Sequence, residues 1–364
     1  MQIEPLKNWG VAEDKPWVIS GPCSAETEEQ LTETALALVE KGVKTIRAGV
    51  WKPRTRPGTF EGIGKDALGW INNIRTQVPE DVKFAVEVAT AQHVEQALEA
   101  KIDVLWVGAR SSVNPFTMQD IADALRGVDV PVLVKNPINP DLALWIGAME
   151  RIAGAGITKI GAIHRGFSSH KKTRFRNIPS WHLALELKRE YPELPMICDP
   201  SHIAGDSALI AELSQKAMDL DFDGLMIESH RDPANAWSDA KQQVTPDVLS
   251  EIVEGLSIPT ASSGNVEFNS QLTELREQID QLDRELFDTL AERMKVVDKI
   301  GNYKRDNNVT VFQMRRWDEI LKTRSDWAKE LGLNQDMMFE VFTHIHEAAV
   351  RRQMDILEKK EAGV

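Results

Sequence analysis

Cys23, His202, Glu228 and Asp239 offer a thiol, an imidazole and two carboxylates. Together these form a mixed donor set suited to a divalent transition metal. Singly, each has a bland reading: cysteine is commonly a small buried hydrophobe, and a carboxylate at a strand end often caps a helix. What matters is whether they converge. A second group is cationic: Arg47, Lys52, Arg54, Arg110, Lys135 and Arg165, with Thr55 beside Arg54 in the run Lys52-Pro53-Arg54-Thr55. The chain as a whole is acidic, with net charge −13, so basic residues gathered at one place run against the background. Enclosed cations need anions. Arginine forks match phosphate and carboxylate oxygens. So many basic groups point to two anionic substrates, both phosphorylated. The pair Lys171-Lys172 reads instead as solvated charge.

These residues sit at the ends of strand-like runs. The runs are WVISGPC (17–23), TIRAG (45–49), KFAVEV (83–88), VLWVGA (104–109), VPVLVK (130–135), TKIGAIHRG (158–166), PMICDPSH (195–202) and GLMIESH (224–230). Each is followed by a helix-like stretch such as TEEQLTETALALVEKG. Eight alternating units predict a parallel sheet closed into a (β/α)8 barrel over residues 1–256. Active sites of such barrels lie at the carboxyl ends of the strands. Strands one, seven and eight become neighbours on closure, which brings Cys23, His202, Glu228 and Asp239 within range of one another.

Near Ser257 the texture changes. SIPTASSGNVEFN (257–269) reads as a linker rich in Ser, Gly, Pro and Asn. Beyond it, Leu272, Leu275, Ile279, Leu282, Leu286, Leu290, Val297 and Ile300 recur at helical spacing and predict one long helix over 271–304. Further helices are expected over 314–331 and 335–360, giving an all-α unit over 270–364. Arg293 and Lys304 differ by about 20° in heading on the long helix and lie ~16 Å apart. Arg276 lies ~25 Å from Arg293 and points elsewhere, so it could share their pocket only from another chain.

The remaining bulk properties exclude alternatives. No apolar run approaches the ~18 residues of a membrane span, and MQIEPLKNWG lacks the layout of a signal peptide. Two cysteines rule out a disulfide framework and indicate a reducing, cytoplasmic setting. The acidity argues against nucleic-acid or anionic-membrane partners.

GPCS (21–24), RAGVWKPRT (47–55), VGAR (107–110), LVK (133–135), HRG (164–166), DPSH (199–202) and MIESH (226–230) resemble the 3-deoxy-D-arabino-heptulosonate 7-phosphate (DAHP) synthases, most closely the class I beta type. The resemblance implies condensation of phosphoenolpyruvate with erythrose 4-phosphate. It implies a divalent metal (Mn, Fe, Co or Zn) on Cys23, His202, Glu228 and Asp239. By the same resemblance, Arg110, Lys135 and Arg165 hold the phosphoenolpyruvate phosphate, Arg47 and Lys52 face its carboxylate, and Arg54 and Thr55 take the erythrose phosphate. Lys52 is also a candidate proton donor or relay. A sibling family uses arabinose 5-phosphate instead; KPRT argues against it. Lys135 is followed by Asn136-Pro137 where Arg-Gly is common, and Ile163-His164 replaces a Cys-Glu pair.

LTELREQIDQLDRELFDTLAERMKVVDKIGNYK, RRWDEIL and EAAVRRQ resemble the all-helical type II chorismate mutases. This implies rearrangement of chorismate to prephenate in an intertwined dimer. Arg293, Arg316 and the partner subunit's Arg276 would grip the substrate carboxylates, and Lys304 and Gln353 the ether oxygen. Gln313 and Trp317 stand where that family often has carboxylates for the substrate hydroxyl, and Ala349 where some members have Ser. A helical unit that binds prephenate could also report its level to the barrel. A sensing or purely dimerising role without turnover is the alternative.

Overall fold

The structure, a computed structural model, describes the chain except residues 12–14, 54–57, 170–172, 261 and 362–364, with side chains described as far as Glu358. It forms two compact units, Met1–Ala261 and Ser262–Val364.

The first unit is a closed barrel of parallel strands in sequence order: β1 (Trp17–Gly21), β2 (Thr45–Ala48), β3 (Lys83–Val88), β4 (Val104–Val107), β5 (Val132–Lys135), β6 (Ile160–His164), β7 (Met196–Cys198) and β8 (Gly224–Glu228). β8 closes on β1 over five residue pairs, Trp17 with Gly224 through Gly21 with Glu228. The connecting helices are α1 (Glu28–Glu40), α2 (Lys65–Arg75), α3 (Ala91–Glu99), α4 (Pro115–Ala124), α5 (Leu142–Gly154), α6 (Trp181–Glu190), α7 (Pro200–Ala204), α8 (Ile210–Asp219) and α9 (Pro246–Glu254).

Strand side chains alternate between two faces, and this period sorts the core into two layers. Trp17, Ile19, Ala85, Trp106, Leu133, Ile163, Ile197 and Met226 fill the inside, with Trp9 and Val11 packed against them. Ile46, Ala48, Val86, Val134, Ala162, Cys198 and Ile227 face the helices. Continuing the inward series toward the carboxyl ends gives Cys23 after Ile19, Arg47 between Ile46 and Ala48, Lys135 after Leu133, Arg165 after Ile163, Asp199 after Ile197 and Glu228 after Met226. The polar mouth is therefore the last layer of the same pleat that builds the apolar core.

Most strands stop short of the runs read from sequence. The largest difference is at β7, read through His202 but ending at Cys198. His202 is not at a strand end; it sits in α7. The cause is local: the Asp199 side chain caps that helix by accepting from the His202 N–H at 3.0 Å, and Pro200 supplies a fixed φ in the first turn.

The second unit has helices α10 (Val266–Asp306), α11 (Met314–Glu330) and α12 (Gln335–Glu361). α10 begins inside the stretch expected to be linker. Asn265 caps it, its side chain accepting from the N–H groups of Glu267 (3.0 Å) and Phe268 (3.1 Å). α10 packs on α12, and a close contact there depends on Gly301: a Cβ at this position would lie 2.9 Å from Ile356 Cδ1 and 3.3 Å from Gln353 Cγ.

Candidate active sites

At the barrel mouth, ligand atoms of Cys23, Glu228 and Asp239 all lie within 4.8 Å of one another. Cys23 Sγ is 3.5 Å from Asp239 Oδ2. His202 stands beside this trio, its Nε2 3.8 Å from Glu228 Oε1. Its Nδ1 is 3.0 Å from Asp199 Oδ1, which places the ring proton on that side and leaves Nε2 as a lone-pair donor. Burial lowers the His202 pKa against the opposing pull of Asp199, so the ring stays neutral. A soft sulfur, a neutral imidazole and two carboxylates at these separations fit a divalent transition ion.

The backbone is shaped for this cluster. A Cβ at Gly49 would lie 1.8 Å from the Cys23 carbonyl oxygen, so only glycine lets the loop after β2 pass there. The Cys23 N–H donates to Gln243 Oε1 (2.9 Å), and the hydroxyls of Ser24 and Ser238 meet at 2.6 Å, tying the loop of Cys23 to that of Asp239.

Burial is the largest influence on each charged group here. It pushes the Cys23 thiol up to about 12, with Glu228 adding to the rise and Lys52 opposing it. Burial also pushes the Glu228 carboxyl up, but His202, Arg47 and Lys52 outweigh it and hold the group below its usual range. Asp239 is likewise held down by Arg176, His202 and Lys52 against its burial.

The expected cations divide into several situations. Arg47 is 1% exposed, and its Nη2 lies 3.1 Å from Glu228 Oε1. Its Nε and Nη1 have no hydrogen-bond partner among the described residues. Both are buried guanidinium donors with hydrogen-bonding capacity left for an anionic ligand. Lys52 Nζ donates to the Cys23 Sγ and carbonyl oxygen. Lys135 Nζ donates to Asp199 Oδ2 at 2.7 Å. Arg165 is 9% exposed and donates through Nη1 to Asn177 Oδ1 at 2.9 Å. Burial, reinforced by the nearby cations Arg176 and Arg110, lowers the Arg165 pKa to about 10, against the pull of Asp199 and Glu87. Arg110 itself is exposed in the loop after β4. Arg54 and Thr55 lie outside the described residues.

Three further residues belong to the site although sequence reading passed over them. Asp199 bridges Lys135 and His202. Arg176 donates to Asp239 Oδ1 (3.1 Å) and Gln242 Oε1 (2.6 Å), and Gln242 Nε2 donates to Glu228 Oε2 (2.7 Å). For Asp199 a signal existed: an Asp-Pro pair three residues before His202 has the spacing of a helix cap. Arg176 and Gln242 carry none, because only loop geometry brings them in.

The helical unit holds a second polar cluster. Arg293 Nη1, Gln353 Oε1 and His346 Nε2 are buried without a partner among the described residues. Lys304 Nζ donates to the Val311 carbonyl at 2.5 Å, and its pKa is lowered by burial. Gln353 is 7% exposed, and its Nε2 donates to the Ala349 carbonyl at 3.3 Å. Arg316 and Arg276 are not drawn in: Arg316 pairs with Glu319 on an exposed face, and Arg276 is exposed on α10. Around Arg276, the side chains of Leu275, Ile279, Leu282, Leu286 and Phe287 are all more than half exposed, an apolar stripe along the first half of α10.

A (β/α)8 barrel whose mouth joins a metal-capable trio to buried cations is the fold and site of an enzyme, and the three-helix unit that follows holds a polar cluster of its own. Residues 6–257 match the DAHP synthetase I family, and residues 275–354 match chorismate mutase type II. The chain belongs to the DAHP synthetase I family and carries a chorismate mutase domain behind the barrel. It is 32% identical to the phospho-2-dehydro-3-deoxyheptonate aldolase of Thermotoga maritima, over 65% of this chain and 68% of that protein. A crystal structure of the Thermotoga DAHP synthase superposes with a TM-score of 0.59 at 31% identity, covering 65% of this chain and 67% of that one. A 2-dehydro-3-deoxyphosphooctonate aldolase of Legionella pneumophila is 26% identical over 67% of this chain and 91% of its own. The pairing of the two domains supports a bifunctional shikimate-pathway protein. Among the described residues, no helix is long and apolar enough to cross a membrane.

Proposed function

We propose that the barrel condenses phosphoenolpyruvate with erythrose 4-phosphate to DAHP and phosphate, using a divalent metal held by Cys23, His202, Glu228 and Asp239. The observation that carries this reading is the 4.8 Å trio of Cys23, Glu228 and Asp239 next to the buried Arg47 guanidinium, two of whose nitrogens have no partner among the described residues. Arg110, Lys135 and Arg165 hold the phosphate of the first substrate, and Arg47 takes its carboxylate. Arg54 and Thr55 take the phosphate of the aldehyde substrate. Clamping both ends turns a bimolecular encounter into an oriented one, worth up to ~7–11 kcal/mol of barrier in favourable cases. A bound ion supplies Lewis-acid polarisation of the aldehyde oxygen. The methylene carbon of phosphoenolpyruvate bonds to the aldehyde carbon, water adds to the former enol carbon, and phosphate leaves from it. Lys52 delivers the proton to the new alkoxide.

The helical unit, in the same proposal, rearranges chorismate to prephenate. Arg293, Arg316 and the partner subunit's Arg276 bind the two carboxylates, and Lys304 and Gln353 meet the ether oxygen. Gln353 must then turn its amide so that the NH2 group faces the substrate. The exposed stripe around Leu282 supports a homodimer in which α10 reaches the other subunit's pocket. Prephenate bound in that pocket provides feedback on the barrel, and the enzyme works in the cytoplasm.

The test is a two-substrate assay of the purified chain with phosphoenolpyruvate and either erythrose 4-phosphate or arabinose 5-phosphate, after chelation and with metal restored. Metal-dependent turnover with erythrose 4-phosphate is expected. A preference for arabinose 5-phosphate overturns the substrate assignment. Residues 266–364 alone, assayed with chorismate, separate a catalytic helical domain from one that only binds.

A further inference from the structure

Within the helical pocket the donors outnumber the acceptors, and the acceptors decide what else a ligand must carry. Arg293 offers positive N–H groups to a carboxylate, and Lys304 to the ether oxygen. Besides Gln353 Oε1, the buried side-chain nitrogens of this unit without a partner among the described residues are Arg293 Nη1, Arg324 Nε and His346 Nε2, and of these nitrogens only the imidazole can accept. His346 and Gln353 are two turns apart on α12 and share a heading within about 20°. The imidazole is not loosely placed. It stacks on Trp317 with ring centroids 4.1 Å apart and planes 16° from parallel, and Phe312 meets it edge-on at 6.0 Å. The charged groups acting on it are Arg293 and Lys304 from α10 and Glu347 on its own helix; α11 brings the neutral Trp317 ring, and beyond it Arg324, which acts on Arg293. Burial first, then the two α10 cations, lower the His346 pKa, so the neutral ring carries one N–H and one lone pair, which sits on Nε2 in the Nδ1–H tautomer.

A buried acceptor without a partner costs roughly 1–3 kcal/mol until a donor arrives. A ligand made only of anionic groups would leave His346 unmet. We propose that His346 is a substrate-contacting specificity residue of the helical site, its Nε2 accepting a hydrogen bond from a hydroxyl on the bound dicarboxylate while Trp317 fixes the ring plane. The inference rests on the mutase reading for its substrate, chorismate, whose ring carries a hydroxyl.

The experiment uses the full chain, chorismate and its 4-deoxy analogue, with the variants His346→Phe and His346→Gln. Phenylalanine keeps the stack on Trp317 and removes the acceptor; glutamine restores an amide oxygen near the same place. In the wild-type chain the deoxy analogue should bind about fivefold to tenfold more weakly than chorismate. His346→Phe should bring that ratio to about one and raise KM for chorismate by a similar factor with kcat nearly unchanged, because the contact is equal in ground and transition states. His346→Gln should recover most of the discrimination. An unchanged ratio in His346→Phe, with the melting temperature retained, overturns the proposal. Binding of both compounds by calorimetry keeps the outcome separate from the mutase reading. Discrimination lost in His346→Phe but no turnover in any form would sink the mutase activity and leave the hydroxyl contact standing.

Discussion

Lys52 places its Nζ 2.9 Å from the Cys23 Sγ and 2.9 Å from the same residue's carbonyl oxygen. An ammonium there is a ready counter-charge for a thiolate, yet burial still leaves the thiol protonated, at about 12. A divalent cation would tip that balance, since metal binding drives a coordinating thiol to give up its proton.

Cys23→Ala should therefore lose stoichiometric metal binding, measured by elemental analysis after dialysis, and lower condensation by at least ~100-fold. Chorismate turnover should be unaffected. Retained condensation with unaltered metal content would remove Cys23 from the site.

Lys304→Ala should have the opposite profile. Loss of one donor aimed at developing negative charge typically costs about 100-fold to 1,000-fold in kcat. Condensation in the same preparation should remain at the wild-type level; equal loss of both activities would mean that the two sites do not operate separately.

Gly301→Ala sets two magnitudes against each other. Alanine gains up to ~1 kcal/mol of helix propensity, while crowding Ile356 and Gln353 costs ~1–3 kcal/mol if neither can move. The nearer contact is the far end of an isoleucine, which can turn aside, so the melting temperature should change little. Gln353 must shift by a few tenths of an ångström, and chorismate turnover should fall severalfold. A large loss of stability with intact kinetics would reverse this ranking.

His164 governs an acid-sensitive part of the barrel wall. It faces outward from β6 into a cage of Trp145, Phe167, Trp181 and Phe222, and burial lowers its pKa to about 3. The unfolded chain takes up a proton near pH 6.5, where the folded one does not. Stability from this residue is thus complete above about pH 6.5 and declines as pH falls toward 3, by at most ~1.4 kcal/mol per pH unit. His164→Phe should flatten that acid limb in denaturant titrations. An identical slope in the variant would show that the ring is not the titrating group.

The barrel was readable because each of its strands is a short apolar run and each connection carries a helical period. Strand ends were harder. Cys23 and Asp199 continue the inward polar layer just past the strand ends, and His202 follows in a short helix, so residue type alone reads all three as strand. Cys23, Glu228 and Asp239 were legible as candidates because few residue types ligate metals. Arg176 and Gln242 were not, since a loop cation in sequence looks the same whether it meets water or Asp239. In the helical unit, periodicity located all three helices within a few residues. It gave no hint that Trp317 and His346, on different helices, would lie face to face.

Asp199 answers to two neighbours at once: its Oδ2 takes the Lys135 ammonium at 2.7 Å, and the His202 Nδ1 lies 3.0 Å from Oδ1 and 2.9 Å from Oδ2. Anything that draws Lys135 toward an arriving phosphate frees negative charge to strengthen the imidazole as a ligand, and an ion on the imidazole loosens the ammonium in return. On the proposed assignment of metal to His202 and phosphate to Lys135, occupancy of either half of the mouth would raise the other's affinity through this single carboxylate.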